Sequence, residues 1–382
     1  MGIPLEFIIF GLVLLGVAVF HNHPLSVSLT GLGAVLFLKS LDPGFRFLSH
    51  LHEEAGLLAN LFGLLVGFAA LASHFEGSKL PLLMPRFLPD DWKGPLLLLI
   101  AVFVLSAFLD NIAAALVGGT VAATVFKGRV HIGFLAAIVA ASNAGGAGSV
   151  LGDTTTTMMW IAGVPAVQVL HAYIGAGAAL LCMGIPASLA QHRLQPITAD
   201  APEGVRVDWL RVGAVATTLA GAVAANVGLG FPAVGVWAAL LLWAPITGLP
   251  WKAMPEALRG AVFLSSLVLI ASLMPVDRLP AASWPVTLGL GFVSAFFDNI
   301  PLTKLALDQG GYDWGLLAYA VGFGGSMLWF GSSAGVALAG IFPELRSVGR
   351  WLRHGWYIIP AYVLGFVLIL ALAGWQPRAL VP

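Results

Sequence analysis

Charged side chains are scarce in this chain: of its 382 residues only 9% are Asp, Glu, Lys or Arg, against 59% hydrophobic. Soluble domains carry about 25% charged residues, so water is not the solvent for most of this surface. Acids and bases balance at 18 each, which removes the basic excess that nucleic acid selects. Cysteine is almost missing. The lone Cys182 excludes an intramolecular disulfide and any thiolate cluster. The nine histidines form no H-x-x-x-H or E-x-x-H pair, which argues against a dedicated transition-metal site. No H-E-x-x-H arrangement occurs, and the chain is not expected to be an enzyme.

What the sequence has instead is long apolar runs, with a mean hydropathy of +0.94. A bilayer-spanning helix needs roughly 20 such residues. The runs predict ten spans, at about 5–20, 24–40, 55–75, 131–164, 166–190, 209–228, 232–249, 257–274, 312–345 and 354–375. The first, preceded by no Lys or Arg and followed by His21-Asn22-His23-Pro24 with no small-residue cleavage pattern, reads as a retained span. Two of the ten are too long to be straight and carry glycine-rich interruptions, at Asn143–Asp153 and Gly322–Gly335.

Two further apolar stretches, 95–126 and 284–310, each hold Asp-Asn near the middle. A lipid-exposed break there would leave polar groups unpaired at several kcal/mol each. Both are therefore expected to be re-entrant hairpins. With that topology thirteen Lys and Arg fall on one side of the membrane and five on the other, a positive-inside bias that puts both termini outside.

Ser106-Ala-Phe-Leu-Asp-Asn-Ile112 matches Ser294-Ala-Phe-Phe-Asp-Asn-Ile300 at six of seven positions. Downstream, Gly145-Gly146-x5-Gly152-Asp153-Thr154 parallels Gly324-Gly325-x5-Gly331-Ser332-Ser333. An odd number of crossings separates the copies, so the second half is expected to be inverted relative to the first. The fold class is thus an all-α polytopic membrane protein of about ten transmembrane helices plus two hairpins, in two inverted-topology repeats with discontinuous helices. Residues 1–190 form the first repeat, 191–208 a cytoplasmic linker and 209–382 the second repeat.

Asp110, Asp153 and Asp298 are the acids placed deepest in the membrane. A charge there costs between about 2.5 and 17 kcal/mol. One carboxylate, an Asn carbonyl, Ser or Thr hydroxyls and the carbonyls of an unwound helix suit a hard cation such as Na⁺. Burial also favours the neutral carboxyl form, so one carboxylate can hold Na⁺ or H⁺ in turn. The plainer alternative is that these Asp residues cap half-helices, Asp153 above all. Lys304, six residues past Asp298 where the first hairpin has Leu116, either pairs with Asp298 or Asp308 or snorkels to the surface. Trp92, Trp251, Trp284, Trp351 and Trp356 read as interfacial anchors.

The stretches SAFLDNIAAALVGG, ASNAGGAGSVLGDTTTTMMW, FFDNIPLTKLAL and YAVGFGGSMLWFGSSAGVALAG resemble the NhaD-type sodium/proton antiporters of the ion transporter superfamily. They cover about a fifth of the chain, in order along most of its length. The resemblance implies a secondary active Na⁺(Li⁺)/H⁺ exchanger, a homodimer that moves its transport region past a scaffold, and an integral multi-pass location in a bacterial inner membrane. It implies ion handling by Asp110, Asn111, Ser142, Asn143, Asp153, Thr154, Asp298, Asn299, Ser332 and Ser333. The principal Na⁺ site is expected at Asp110, Asn111, Asn143 and Asp153. No cofactor is expected beyond the transported ions. A sodium-coupled symporter of a dicarboxylate, sulfate or other oxyanion is the alternative. Relatives of that kind use paired Ser-Asn-Thr motifs, from which Ser142-Asn143-Ala144 and Ser332-Ser333-Ala334 depart.

Overall fold

The computed structural model describes residues 4–20, 23–197 and 204–378. His21 and Asn22 of the first connection, and 198–203 of the expected linker, lie outside the described residues. The first half runs α1 (Leu5–Val19), α2 (Pro24–Ser40), α3 (Phe47–Gly77), α4 (Lys93–Ser106), α5 (Asn111–Val125), α6 (Ile132–Gly146), α7 (Thr154–Ile161) and α8 (Ala172–Leu194). The second runs α9 (Trp209–Leu229), α10 (Pro232–Thr247), α11 (Met254–Ser272), α12 (Trp284–Ser294), α13 (Asn299–Gln309), α14 (Trp314–Gly324), α15 (Ser333–Ile341), α16 (Val348–His354) and α17 (Ile358–Ala373). No strand occurs among the described residues.

By length and composition, α3, α8, α9 and α11 can each cross a membrane, and the α16–α17 pair, bent by 60°, makes a fifth candidate. The remaining expected spans are shorter helices, several of them halves of interrupted segments. Polar and glycine residues do the interrupting. The 131–164 segment is unwound between Gly146 and Thr154, and the 312–345 segment between Gly324 and Ser333, with a 3-10 turn at Gly325–Met327. Segment 354–375 holds α17, which a bend of 60° divides from the preceding α16. Trp351, expected at the interface, is fully buried; it sits on α16, which packs on α6.

Helices pack in matching pairs across the two halves. α1 packs on α2 and α9 on α10; α2 meets α11 and α3 meets α10; α4 lies on α6 and α12 on α14; α5 meets α15 and α7 meets α13. α4 and α5 fold against each other about the break at 107–110, and α12 touches α13 about 295–298.

The glycine-rich breaks are what lets each half close. A Cβ at Gly145 would overlap the Phe103 carbonyl, and one at Gly324 the Gly291 carbonyl. At Gly152 and Gly331 it would overlap the carbonyls of Ser106 and Ala295. Only hydrogen fits where two backbones approach this closely. The same glycine therefore meets the same stretch of hairpin backbone in both copies.

Candidate functional site

Both Asp-Asn motifs turn the chain in one conformation. Asp110 (φ −49°, ψ 141°) precedes α5 and Asp298 (φ −53°, ψ 140°) precedes α13. The partner breaks also agree, with Asp153 at φ −142°, ψ 138° before α7 and Ser332 at φ −140°, ψ 151° before α15.

Capping, the plain role of Asp at a helix start, is realised at two of the three acids. Asp298 Oδ1 accepts from Ile300 N–H at 3.1 Å and Asp153 Oδ1 from Thr155 N–H at 3.3 Å. Asp110 closes no side-chain cap of that geometry, although the N–H groups of Asn111 and Ile112 lie close to its carboxylate. Ser332 Oγ accepts from Gly335 N–H at 3.3 Å.

Behind these caps a buried polar network joins the halves. Asn111 Nδ2 donates to Asn143 Oδ1 at 3.0 Å, and Asn143 Nδ2 donates to Ser326 Oγ at 2.9 Å. In the second half Asn299 Nδ2 donates to Asp153 Oδ2 at 3.4 Å. The repeat explains why its partner comes from the other half. Gly322 stands where the first half has Asn143, so no side chain of its own half can meet Asn299 there. A Cβ at Gly322 would lie 3.2 Å from Asp153 Oδ2, which occupies that space. Asp110 and Asp298 both lie within electrostatic reach of Asp153.

A cavity of about 620 Å³ adjoins the network. Asp110, Asp298, Ser332 and Ser333 line it, and Ser333 Oγ donates to Asp298 Oδ2 at 3.0 Å. Glu76 near the end of α3 and Glu256 in the first turn of α11 line it too, both exposed. Leu65, Leu116, Leu264 and Phe297 are among the apolar walls, and no Lys or Arg lines it among the described residues.

The structure thus gathers Asp110, Asp298, Ser332 and Ser333 at one cavity, and Asn111, Asn143, Asp153 and Asn299 in the network behind it. Ser142 stays apart, its hydroxyl donating to Val139 C=O within its own helix. Thr154 opens α7, while the two residues Thr156 and Thr157 donate to the Asp153 carbonyl at 2.9 Å and brace the unwound turn. Lys304 neither snorkels nor meets Asp298. It is buried, with Nζ 2.6 Å from Asp308 Oδ1 and 2.8 Å from Glu54 Oε1. Ser326 as the partner of Asn143, Glu54 as that of Lys304, and the cavity carboxylates Glu76 and Glu256 escaped sequence reasoning. Each joins elements far apart in the chain, and spacing within a motif carries no such information.

Fold and site together define a multi-pass membrane protein with a buried, acid-lined polar centre between two similarly built halves. No protein-family model matches the chain. It is similar to sodium/proton antiporter 1 of Arabidopsis thaliana, 30% identical over 285 residues, which are 63% of this chain and 49% of that protein. It is also similar to sodium/proton antiporter 2 of the same plant, 28% identical over 318 residues, 67% of this chain and 70% of that protein. The chain spans about half the length of the first of these relatives.

Proposed function

We propose that the chain is a secondary active transporter that exchanges Na⁺ or Li⁺ for H⁺ by alternating access, of the NhaD type, with its two halves arranged as inverted repeats. The observation that carries this reading is the meeting of both duplicated acids, Asp110 and Asp298, at one cavity, with Asp153 within electrostatic reach. The names of the two plant relatives support it.

The chemistry needs few parts. A hard cation entering the cavity meets two carboxylates and the Ser333 hydroxyl, while the carboxamides of Asn111, Asn143 and Asn299 hold the hairpin tips to the unwound segments. Asp110, which lines the cavity from the tip of the first hairpin, is the carboxylate that alternates between cation and proton. One group that binds either ion, never both, couples the two fluxes, and desolvation of the empty carboxylate favours refilling by one of them. The cavity's acidic lining, with no Lys or Arg among the described residues, opposes an oxyanion as cargo.

In this reading 95–126 and 284–310 are re-entrant hairpins from opposite faces, and the cavity opens to the cytoplasmic face, where α3 ends and α11 begins. The protein works as a homodimer in a bacterial inner membrane, and it takes no cofactor. Everted vesicles test the proposal: Na⁺ addition collapses a respiration-driven ΔpH, and Asp110→Asn and Asp298→Asn each abolish the response. Retention of the response by both variants sinks the reading.

A further inference from the structure

Beyond the tips of the two hairpins, the residues at equivalent positions differ in kind. Leu116, which lines the cavity beside α5, is matched in the repeat by Lys304 on α13. The Lys304 side chain is 5% exposed and its ammonium is shared by Glu54 on α3 and Asp308 one turn along α13, at 2.8 Å and 2.6 Å. His50, one turn before Glu54, binds Ser272 Oγ on α11 at 2.8 Å. Ion pairs and polar bonds therefore seam α13, α3 and α11 at the end of α3 remote from Glu76. Glu54 and Glu76 are separated by about 33 Å along that helix, at 1.5 Å per residue, enough to put the seam and the cavity mouth at opposite faces of a membrane.

We propose that the Lys304–Glu54 ion pair is the closed gate on the membrane face opposite the cavity, and that it opens when the cavity closes. The inference rests on the alternating-access reading above. Its own support is the asymmetry of the structure. Where the first half leaves an apolar-walled entry beside its hairpin, the second half fills the equivalent route with an ammonium held between carboxylates from two helices.

A buried ion pair is a poor source of net stability but a specific one, because each charge demands its partner. Such a pair holds two helices in one register and, once separated, leaves charges that water must enter to solvate. Asp308 has a distinct part. It shares α13 with Lys304, so their pair does not cross the seam and holds the ammonium in place when Glu54 departs.

Thiol accessibility in proteoliposomes tests the gate without relying on transport. In a Cys182→Ser background, Leu305→Cys reports on the seam, where Leu305 is buried against α11 residues; Val336→Cys reports on the cavity it lines. With a membrane-impermeant cationic thiosulfonate, Leu305→Cys is expected to react slowly. Glu54→Gln should raise its rate about tenfold by shifting the population toward the open gate. Reagent should enter from the face opposite to the one that labels Val336→Cys, whose own rate falls. Asp308→Asn, which spares the cross-helix pair, should leave both rates within about twofold of the parent. The swapped pair Glu54→Lys with Lys304→Glu should restore slow labelling, which guards against a misfolded single variant.

Unchanged labelling in Glu54→Gln, entry from the cavity face, an equal effect of Asp308→Asn, or fast labelling in the swapped pair each overturns the proposal. Proton flux in the same vesicles separates the two ideas. A labelling shift without Na⁺-driven flux in the parent removes the exchange reading alone, and flux without a shift removes the gate alone.

Discussion

Asn299 reaches out of its own half of the molecule to hydrogen-bond Asp153, Nδ2 to Oδ2 at 3.4 Å, in space that the missing side chain of Gly322 leaves open. The first-half equivalent, Asn111, bonds Asn143 of its own half at 3.0 Å. One substitution in the repeat, Asn in one half and Gly in the other, has turned two parallel contacts into one local contact and one that couples the halves. The two ends of the network are therefore unequal in kind.

That inequality predicts different outcomes for the two asparagines. Asn299→Ala removes a donor to a buried carboxylate, a bond worth about 1.5–3 kcal/mol, and should raise the apparent KM for Na⁺ by at least tenfold. Asn111→Ala breaks a neutral contact worth about 1 kcal/mol and should have the smaller effect. Initial rates of Na⁺-driven proton movement against Na⁺ concentration check the order, and a larger effect at Asn111 contradicts it.

Gly322→Ala places a methyl group 3.2 Å from Asp153 Oδ2, so the carboxylate must give way. Exchange should fall severalfold, with little loss of thermal stability. Gly289→Ala, where a Cβ meets nothing within 4 Å, is the matched control and should change neither. Parallel assays of flux and of unfolding temperature in detergent compare the two.

At Gly152 and Gly331 an added Cβ overlaps backbone carbonyls at the hairpin tips. Backbone cannot move aside as a side chain can, and overpacking of this kind costs about 1–3 kcal/mol or more. Alanine at either position should lower the unfolding temperature by a similar amount. A large effect at one and none at the other contradicts their equivalence.

His171 and Asp313 form a second tie remote from the cavity, His171 Nε2 to Asp313 Oδ1 at 2.7 Å. The Asp313 carboxylate is fully buried and also caps α14 through Leu316 N–H at 3.0 Å and holds Gln376 N–H at 2.9 Å. His171→Ala leaves it short of one partner and should destabilise the protein by about 1.5–3 kcal/mol, with Na⁺ affinity unchanged. Thermal unfolding with and without Na⁺ distinguishes this structural role from a role in ion binding.

Much of this architecture was legible because polar residues inside long apolar runs are expensive. Asp110, Asp298 and the glycine-rich interruptions marked the breaks, and the breaks fall within the stretches where composition put them. The duplicated motif also announced two similar half-sites, and Asp110 and Asp298 share one backbone geometry. The sequence did not show which half each side chain would serve. Asp153 read as the partner of Asp110 because both belong to the first half, yet its hydrogen bond goes to Asn299. Ser326 lies in the second-half break, yet it accepts from Asn143 of the first half. Lys304 had Asp308 within reach on its own helix, but Glu54, 250 residues away, could be found only in three dimensions. Spacing reports contacts along a helix, and tertiary packing decides the rest.

Cation-driven proton flux tests the central claim most directly: purified protein in proteoliposomes, with Asp110, Asp153 and Asp298 each replaced by Asn in turn. The account predicts a Na⁺- or Li⁺-driven proton flux in the parent. It predicts loss of that flux in Asp110→Asn and Asp298→Asn, and a raised cation requirement in Asp153→Asn. Proton flux that ignores the imposed cation gradient, or that survives neutralisation of both Asp110 and Asp298, contradicts it.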